Sequence, residues 1–273
     1  MSSLIYTTLE LSLIGSLTVL ALYLSYFTLN VCDLSTDGCF TLGACVAAVL
    51  ASSGHPFLSI PVTILSGMAS GLIVALLQTY LCVDSLLSGI IVNTGLYSIG
   101  IAIMGNSSLI SLNKNKTIYS MMKDLCKQTI FASTSFLFID VFFVLAVLLF
   151  LQFFLKTRIG LAIKATGDNP IMVEASSLDP RKTTIIALVI SNSFTALSGG
   201  LLALSQKSAN IDIGSGMLTI ALASLLIGRI FYKGSSDFKK LLFCIVGSFI
   251  FRSVYALALR MNMPAYIDRK SVV

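Results

Sequence analysis

The chain has 273 residues, of which 56% are hydrophobic and 11% charged, and its mean hydropathy is +0.94. Soluble globular proteins carry about 25% charged residues, so this composition excludes an ordinary soluble domain and predicts a membrane protein. The formal net charge of +6 could suit nucleic acid, but the basic residues lie between apolar runs and not on one module, so we expect no nucleic-acid partner.

The apolar runs approach the roughly 20 residues that a helix needs to cross lipid, and they lack the alternation of barrel strands. The predicted fold class is all-α, a polytopic transmembrane helical bundle in contact with membrane lipid, with about eight membrane segments. Residues 39–51 are short for a full crossing and predict a broken or re-entrant helix packed inside the protein. The segments are expected at residues 4–29, 39–51, 57–81, 86–104, 136–155, 183–205, 217–231 and 241–259.

Small residues four apart recur in three of these segments. Gly67 and Gly71 form a GxxxG pair, and Gly43 with Ala47 and Gly199 with Ala203 repeat the spacing. Such spacing favours close helix packing, and we assign it no other role.

Charge in the loops predicts the orientation. Residues 156–182 hold five basic residues and residues 229–240 hold four, so we expect both loops on the cytoplasmic side. The loop at 105–135 then falls outside, although it carries four lysines. Eight complete crossings would put the N-terminus outside and one re-entrant segment would put it inside, and the sequence leaves this open.

The most informative polar element near the N-terminus is DLSTDG at residues 33–38. Irregular backbone between apolar segments must line a cavity or be buried in protein, so Asp33, Ser35 and Asp37 are candidates for a translocation path. The alternative is that Asp33 or Ser35 caps a helix.

Further polar residues lie inside the later spans. Asn93, Thr94 and Tyr97, with Ser88 and Ser98, run along the fourth segment with partly helical spacing, which fits a translocation path or interhelical hydrogen bonds. Arg252, a further candidate for the path, lies well inside the last segment, where a guanidinium needs a carboxylate, carbonyls or an aqueous cavity. We interpret Asp84 and Asp140, near span ends, as interfacial positions with access to water.

The loop after Leu155 is the strongest local feature. Asn169 is a good N-cap and Pro170 suits a first helical position, so we predict a short helix over Pro170–Ser177 that docks a partner. A solvated connector is the alternative, which the breaks expected at Gly160, Gly167 and Pro170 disfavour. The residues expected to couple to the partner are Gly160, Lys164, Gly167, Asp168, Asn169, Pro170 and Glu174.

The sequence offers no catalytic constellation. His55 is the one histidine, the six cysteines form no CxxC pair, and the phosphate loop GxxxxGK[ST] is absent. We therefore expect no catalytic residue, cofactor or metal, and any ATP hydrolysis on a separate chain.

Three stretches carry a family resemblance: DLSTDGCFTLGA, GLIVALLQTYLCVDSLLSGIIVNTGLYSI and GLAIKATGDNPIMVEASSLDP. They resemble the permease subunits of bacterial ATP-binding cassette importers of the branched-chain amino acid and ribose type, most closely the tryptophan/tyrosine type permeases. The similarity runs from about Glu10 to about Arg260. The relatives have a Gly where this chain has Ser177, and usually a basic residue at Glu174.

The resemblance implies a multi-pass subunit of the bacterial cytoplasmic membrane that moves an amino acid or similar small solute. Its implied partners are an extracytoplasmic solute-binding protein, a cytoplasmic ATPase that engages the loop at 156–182, and a second permease chain, either a homodimer or a paired permease. A secondary transporter or channel is the alternative, and a membrane-embedded enzyme is a third.

The chain end departs from the resemblance. We expect a single permease domain over residues 1–260, followed by an atypical tail at 261–273. The relatives continue through a further apolar helix, so we expect that final helix to be missing. A common sequencing adapter read in this frame encodes residues 268–273, DRKSVV, which suggests an artefact joined to a truncated gene.

Overall fold

The computed structural model describes residues 2–113, 117–125, 135–232, 234 and 236–260, and the predicted tail at 261–273 lies outside them. The described chain is predominantly helical. A π-helical turn, Tyr23–Thr28, continues α1, and two short strands pair antiparallel. The helices are α1 Ser2–Leu22, α2 Thr36–Ser52, α3 Pro56–Thr79, α4 Ser85–Ile103, α5 Ile118–Leu125, α6 Ser135–Lys156, α7 Arg158–Asp168, α8 Pro170–Ala175, α9 Pro180–Gln206, α10 Met217–Phe231 and α11 Asp237–Arg260, and the strands are β1 Leu109–Ser111 and β2 Ser208–Asn210.

The eight predicted membrane segments are all present as apolar helices. Six helices of the described chain are long and apolar enough to span a bilayer, and two, α2 and α10, are shorter. The polytopic all-α bundle is therefore confirmed. The short α2 begins at Thr36, after a non-helical stretch over residues 29–35 that follows the π-helical turn.

The two basic loops lie at the same end of the bundle, which we call the loop end. Lys164 of α7 forms an ion pair with Asp237, the first residue of α11, at 2.5 Å. Gly167 of α7 packs on the backbone of Thr28 and Leu29. The end of α1, the start of α11 and the loop at 156–182 are thereby brought together.

The centre of the bundle is α9, packed against α2 and α3. A Cβ built on Gly43 would overlap the backbone of Ala196, and one on Gly199 would overlap the carbonyl of Phe40. On α3, a Cβ on Gly67 would overlap the carbonyl of Asn192, and one on Gly71 would overlap the carbonyl of Leu188. The packing role predicted for these small residues is confirmed, because backbone contact at these points leaves no space for a side chain.

The outer helices have a different surface. Most side chains of α3, α4, α6 and α11 in their apolar windows are not buried, whereas α1 and α9 are largely enclosed. Exposed Phe142, Phe153 and Ile90 are examples. Apolar exposure on this scale suits contact with lipid tails.

The interpretation of Asp140 as a water-accessible residue was wrong. Its side chain is fully buried in α6, where one carboxylate oxygen accepts a hydrogen bond from the hydroxyl of Tyr119. Tyr119 belongs to α5, and burial raises the pKa of its phenol well above the usual value, so the phenol remains a donor. Asp84 is exposed as predicted, and it caps α4 by accepting from the Leu86 amide at 2.9 Å.

Candidate functional site

A polar cavity lies where the two short helices begin. It has a volume of about 300 Å³ and is lined from α2, α4 and the segment before α10. Four of the predicted path residues meet in it. The lining consists of Asp37, Gly38, Thr41, Asn93, Thr94, Tyr97, Ile211, Asp212 and Ser215.

Asp37 connects the starts of the two short helices, α2 and α10, and the non-helical segments before them are called the helix breaks below. Its carboxylate accepts hydrogen bonds from the amides of Gly216 at 3.1 Å and Leu218 at 2.7 Å, so it caps α10 from a position in the first turn of α2. A carboxylate at a helix N-terminus is stabilised by the free amides and by the helix dipole. The start of α10 is therefore fixed to the start of α2 by one side chain.

Asn93 approaches the backbone of α2 at Gly38. A Cβ on Gly38 would overlap the Asn93 side chain. The glycine therefore allows the Asn93 amide of α4 to contact the first turn of α2. Thr94 bonds its own helix, with its hydroxyl 2.8 Å from the Ile91 carbonyl, and Tyr97 is 44% exposed. The cavity thus offers carboxylates, an amide and an aromatic ring to a small polar solute.

Asp33 and Ser35 do not line this cavity. Both are buried, and the Asn192 side chain donates to the Asp33 carboxylate at 3.0 Å and to the Ser35 hydroxyl at 3.2 Å. Ser35 occupies the N-cap position of α2 without a side-chain cap bond, so helix capping by it is not what the structure shows. These two residues tie the non-helical stretch to the middle of α9.

Arg252 also lies away from the cavity. Its guanidinium is 4.0 Å from the sulfur of Met217, and it would lie 3.8 Å from a Cβ on Gly15, whose small size leaves it space. The ion pairs found within the described ranges do not include Arg252. Of the three environments predicted for this guanidinium, a carboxylate, carbonyls or an aqueous cavity, the carboxylate is therefore not found among the described residues.

Sequence reasoning missed the contribution of residues 211–216. Asp212 and Ser215 reach the cavity from this segment, and Gly214 packs against the carbonyl of Asp37. The signal was present, because DIGSG at the start of α10 resembles DLSTDG at the start of α2 in composition. Both are polar, glycine-containing entries to a short helix.

The loop at 156–182 contains two helices where one was predicted. Gly160 and Gly167 do not interrupt the helix, because both lie within α7. The Thr157 side chain caps α7 by accepting a hydrogen bond from the Gly160 amide at 3.2 Å. The second helix, α8, ends at Ala175 and not at Ser177. The predicted cap is confirmed, since the Asn169 side chain accepts from the amides of Ile171 and Met172.

The predicted coupling residues divide into two groups. Gly160, Lys164 and Gly167 face the bundle: Gly160 packs on the backbone of Phe154 and Leu155, Lys164 pairs with the start of α11, and Gly167 contacts the end of α1. The second group is exposed and consists of Asp168, Asn169, Pro170 and Glu174.

The exposed face of α8 is apolar at its tip. Ile171 is 77% exposed and Met172 is 69% exposed, whereas Val173 between α8 and the bundle is buried. The adjacent groove is lined by Pro170, Glu174, Arg181 and their neighbours. An anchored helix that presents apolar side chains outward is a typical surface for a partner.

Ser177 adopts a left-handed backbone conformation, with φ of 61°. An L-residue there costs about 1 kcal/mol that glycine does not incur, so we expect Ser177→Gly to raise the thermal unfolding temperature slightly. Ser176→Gly is the matched control, because φ at Ser176 is −87° and no gain is expected. An equal effect of both changes on the melting curve would contradict this explanation.

A bundle of membrane-spanning helices with a polar cavity at two helix breaks and a folded loop at one end defines a polytopic transport protein. The chain matches, over residues 4–267, the family described as the permease component of branched-chain amino acid transport systems. It belongs to this family of permeases.

Curated relatives agree with the family match. A tyrosine transport system permease protein of Clostridioides difficile is 32% identical over 92% of this chain and 82% of its own length. An uncharacterized protein of Rickettsia prowazekii is 30% identical, over 90% of this chain and 85% of its own. A probable branched-chain amino acid transport permease protein, LivH, of Methanocaldococcus jannaschii is 26% identical, over 78% of this chain and 69% of its own length. No solved structure matches the chain.

Proposed function

We propose that this chain is the membrane-spanning subunit of an ATP-binding cassette importer in the bacterial cytoplasmic membrane. A separate ATPase engages α7 and α8, an extracytoplasmic binding protein delivers an amino acid or similar small solute, and a second permease chain completes the channel. The loop end is cytoplasmic. This orientation is supported by the basic residues of the two loops.

The observation that carries the proposal is the α7–α8 unit. It is anchored to the bundle by the Lys164–Asp237 ion pair, by Gly167 and by a hydrogen bond of 2.8 Å between Thr166 and Thr183, while Ile171 and Met172 remain exposed. A solvated connector has no need of such anchoring. A soluble partner that buries the tip of α8 would gain apolar area and act on an anchored element.

Movement of this unit has a route to the cavity. Lys164 contacts the start of α11, α11 packs against α10, and Asp37 fixes the start of α10 to the cavity wall. An ATPase that binds α8 differently in its two nucleotide states would therefore shift the balance between two arrangements of α10.

The cavity supports an amino-acid-like solute. The carboxylate of Asp212 suits an ammonium group, the Asn93 amide can bond a carboxylate, and Tyr97 offers an aromatic surface. The names of two relatives, a tyrosine permease and a probable branched-chain amino acid permease, point to the same substrate class.

Reconstitution tests the function. Proteoliposomes containing the permease with its cognate ATPase and binding protein are expected to accumulate a radiolabelled aromatic or branched-chain amino acid only when ATP is enclosed with the ATPase. Uptake that needs an ion gradient but neither protein would instead identify a secondary transporter.

Narrowing the cavity is expected to lower transport strongly without affecting assembly. Thr94→Phe adds a ring to a space of about 300 Å³, so we expect ATP-dependent uptake to fall roughly tenfold or more while ATPase binding is unchanged. Ala102→Phe is the control, because Ala102 is exposed two turns further along α4 and outside the lining. Equal uptake by the two variants would exclude this cavity from the path.

A further inference from the structure

A second cavity lies at the loop end, between the π-helical turn and the ends of α10 and α11. Its volume is about 840 Å³, and it shares no lining residue with the cavity at the helix breaks. One part of the wall is aromatic, from Tyr23 and Phe27, and another is basic, from Arg229 and Lys240. Nothing in the proposed transport cycle uses it.

The polar wall carries excess positive charge. The guanidinium carbon of Arg229 lies 3.9 Å from the Phe27 ring centroid, and Lys239 lies 5.9 Å from that of Tyr232. Lys240 is 3.9 Å from Asp237, but that carboxylate is already paired with Lys164 at 2.5 Å. Of these four cations, two pair with Asp237, namely Lys164 and Lys240, and Arg229 is in none of the ion pairs among the described residues.

The remaining wall is apolar and continuous with the outer surface. Leu226 and Ile230 line the cavity and are 50% and 71% exposed. Leu242 and Val246 of α11, the helix that packs against α10, are also exposed. A ligand that fits both walls has an anionic group at one end and a hydrocarbon chain at the other.

We propose that this cavity binds an anionic phospholipid. The phosphate lies between Arg229 and Lys240, and an acyl chain covers Leu226 and Ile230. Guanidinium and ammonium groups make charge-assisted hydrogen bonds to phosphate, and basic pockets between helices on the cytoplasmic side are known to suit anionic headgroups. Free inorganic phosphate would leave the apolar wall uncovered.

The absence of tryptophan from the sequence makes the test direct. Leu226→Trp places the only indole of the chain at the cavity. Nanodiscs of phosphatidylcholine are prepared with a small fraction of a brominated lipid, either phosphatidylglycerol or phosphatidylcholine. The brominated acyl chains quench the fluorescence of nearby tryptophan. We expect brominated phosphatidylglycerol to quench Trp fluorescence with about tenfold higher apparent affinity.

Two controls accompany this measurement. Ile91→Trp places an indole on the exposed surface of α4, near one end of that helix as Leu226 is near an end of α10, and no preference is expected there. Adding Arg229→Gln and Lys240→Gln to Leu226→Trp is expected to remove the preference, whereas Lys182→Gln, at an exposed lysine of the same end, is expected to retain it.

Equal quenching by the two lipids at position 226 would overturn the proposal, and this comparison does not depend on the folding of the charge variants. A preference that survives loss of both cations would overturn it as well. Protection from both lipids would also overturn it, because another protein surface, such as a second copy of the chain, would then cover the cavity.

Discussion

Ile171→Asp is expected to weaken ATPase binding by the purified permease roughly thirtyfold. Ile171 is 77% exposed at the tip of α8, and its aliphatic side chain would be buried by a partner that contacts this helix. Placing a carboxylate in an apolar interface without a partner costs free energy, and anchor residues of this kind typically contribute about 2 kcal/mol or more, roughly thirtyfold in Kd. Co-purification and titration with the ATPase in nanodiscs measure the effect.

The matched control is Leu81→Asp, which makes a similar change at a 66% exposed residue of the loop between α3 and α4. It is expected to leave ATPase affinity unchanged. Reversing the charge of Glu174, on the same helix as Ile171, tests that residue separately: unchanged binding and transport would remove it from the docking face. If Ile171→Asp and Leu81→Asp bind equally well, α8 is not the docking helix.

Gly43→Ala is expected to cause a large loss of stability although it adds only one methyl group. The new Cβ would overlap the carbonyl and Cα of Ala196, and a backbone at the centre of the bundle has no rotamer by which to move aside. The helices α2 and α9 would have to separate, so we expect a loss of about 3 kcal/mol. Thermal unfolding in detergent, followed by size-exclusion profile, measures it.

Gly95→Ala provides the same chemical change in a different environment. Gly95 lies in the middle of α4, where an added Cβ meets no atom within 4 Å. Because alanine favours a helix over glycine by about 0.5 to 1 kcal/mol, this variant is expected to be unchanged or slightly more stable. Similar melting curves for the two variants would show that α2 and α9 are not in close contact.

The long apolar runs made the eight helices predictable from sequence, because hydrophobic length is what a bilayer selects. Glycine spacing likewise indicated that α3 packs closely on another helix, and the structure identifies that helix as α9. The helix Arg158–Asp168 was missed since its two glycines look like breaks, although each lies where a neighbouring backbone comes too close for a side chain. Whether a glycine interrupts a helix or permits its packing depends on partners distant in sequence.

The site was predictable in part for a similar reason. Asp37, Asn93, Thr94 and Tyr97, which line one cavity, could be selected from the sequence because polar residues in apolar helices are few, and their role in a translocation path stays a prediction. The sequence could not predict that Asp33 and Ser35 lie apart from these four residues, because their position depends on hydrogen bonds from Asn192, about 160 positions later in the chain. Local sequence identifies polar residues but not which of them face each other.

The bond between Asp33 and Asn192 has a consequence for biogenesis. Its two residues are 159 positions apart, so during synthesis the carboxylate enters the membrane region long before its partner amide exists. A polar, non-helical stretch is costly in lipid while unpartnered. The stretch before α2 must therefore be held by the insertion machinery, or in water, until α9 has emerged from the ribosome, and the first half of this protein reaches its final arrangement only after most of the second half has been made.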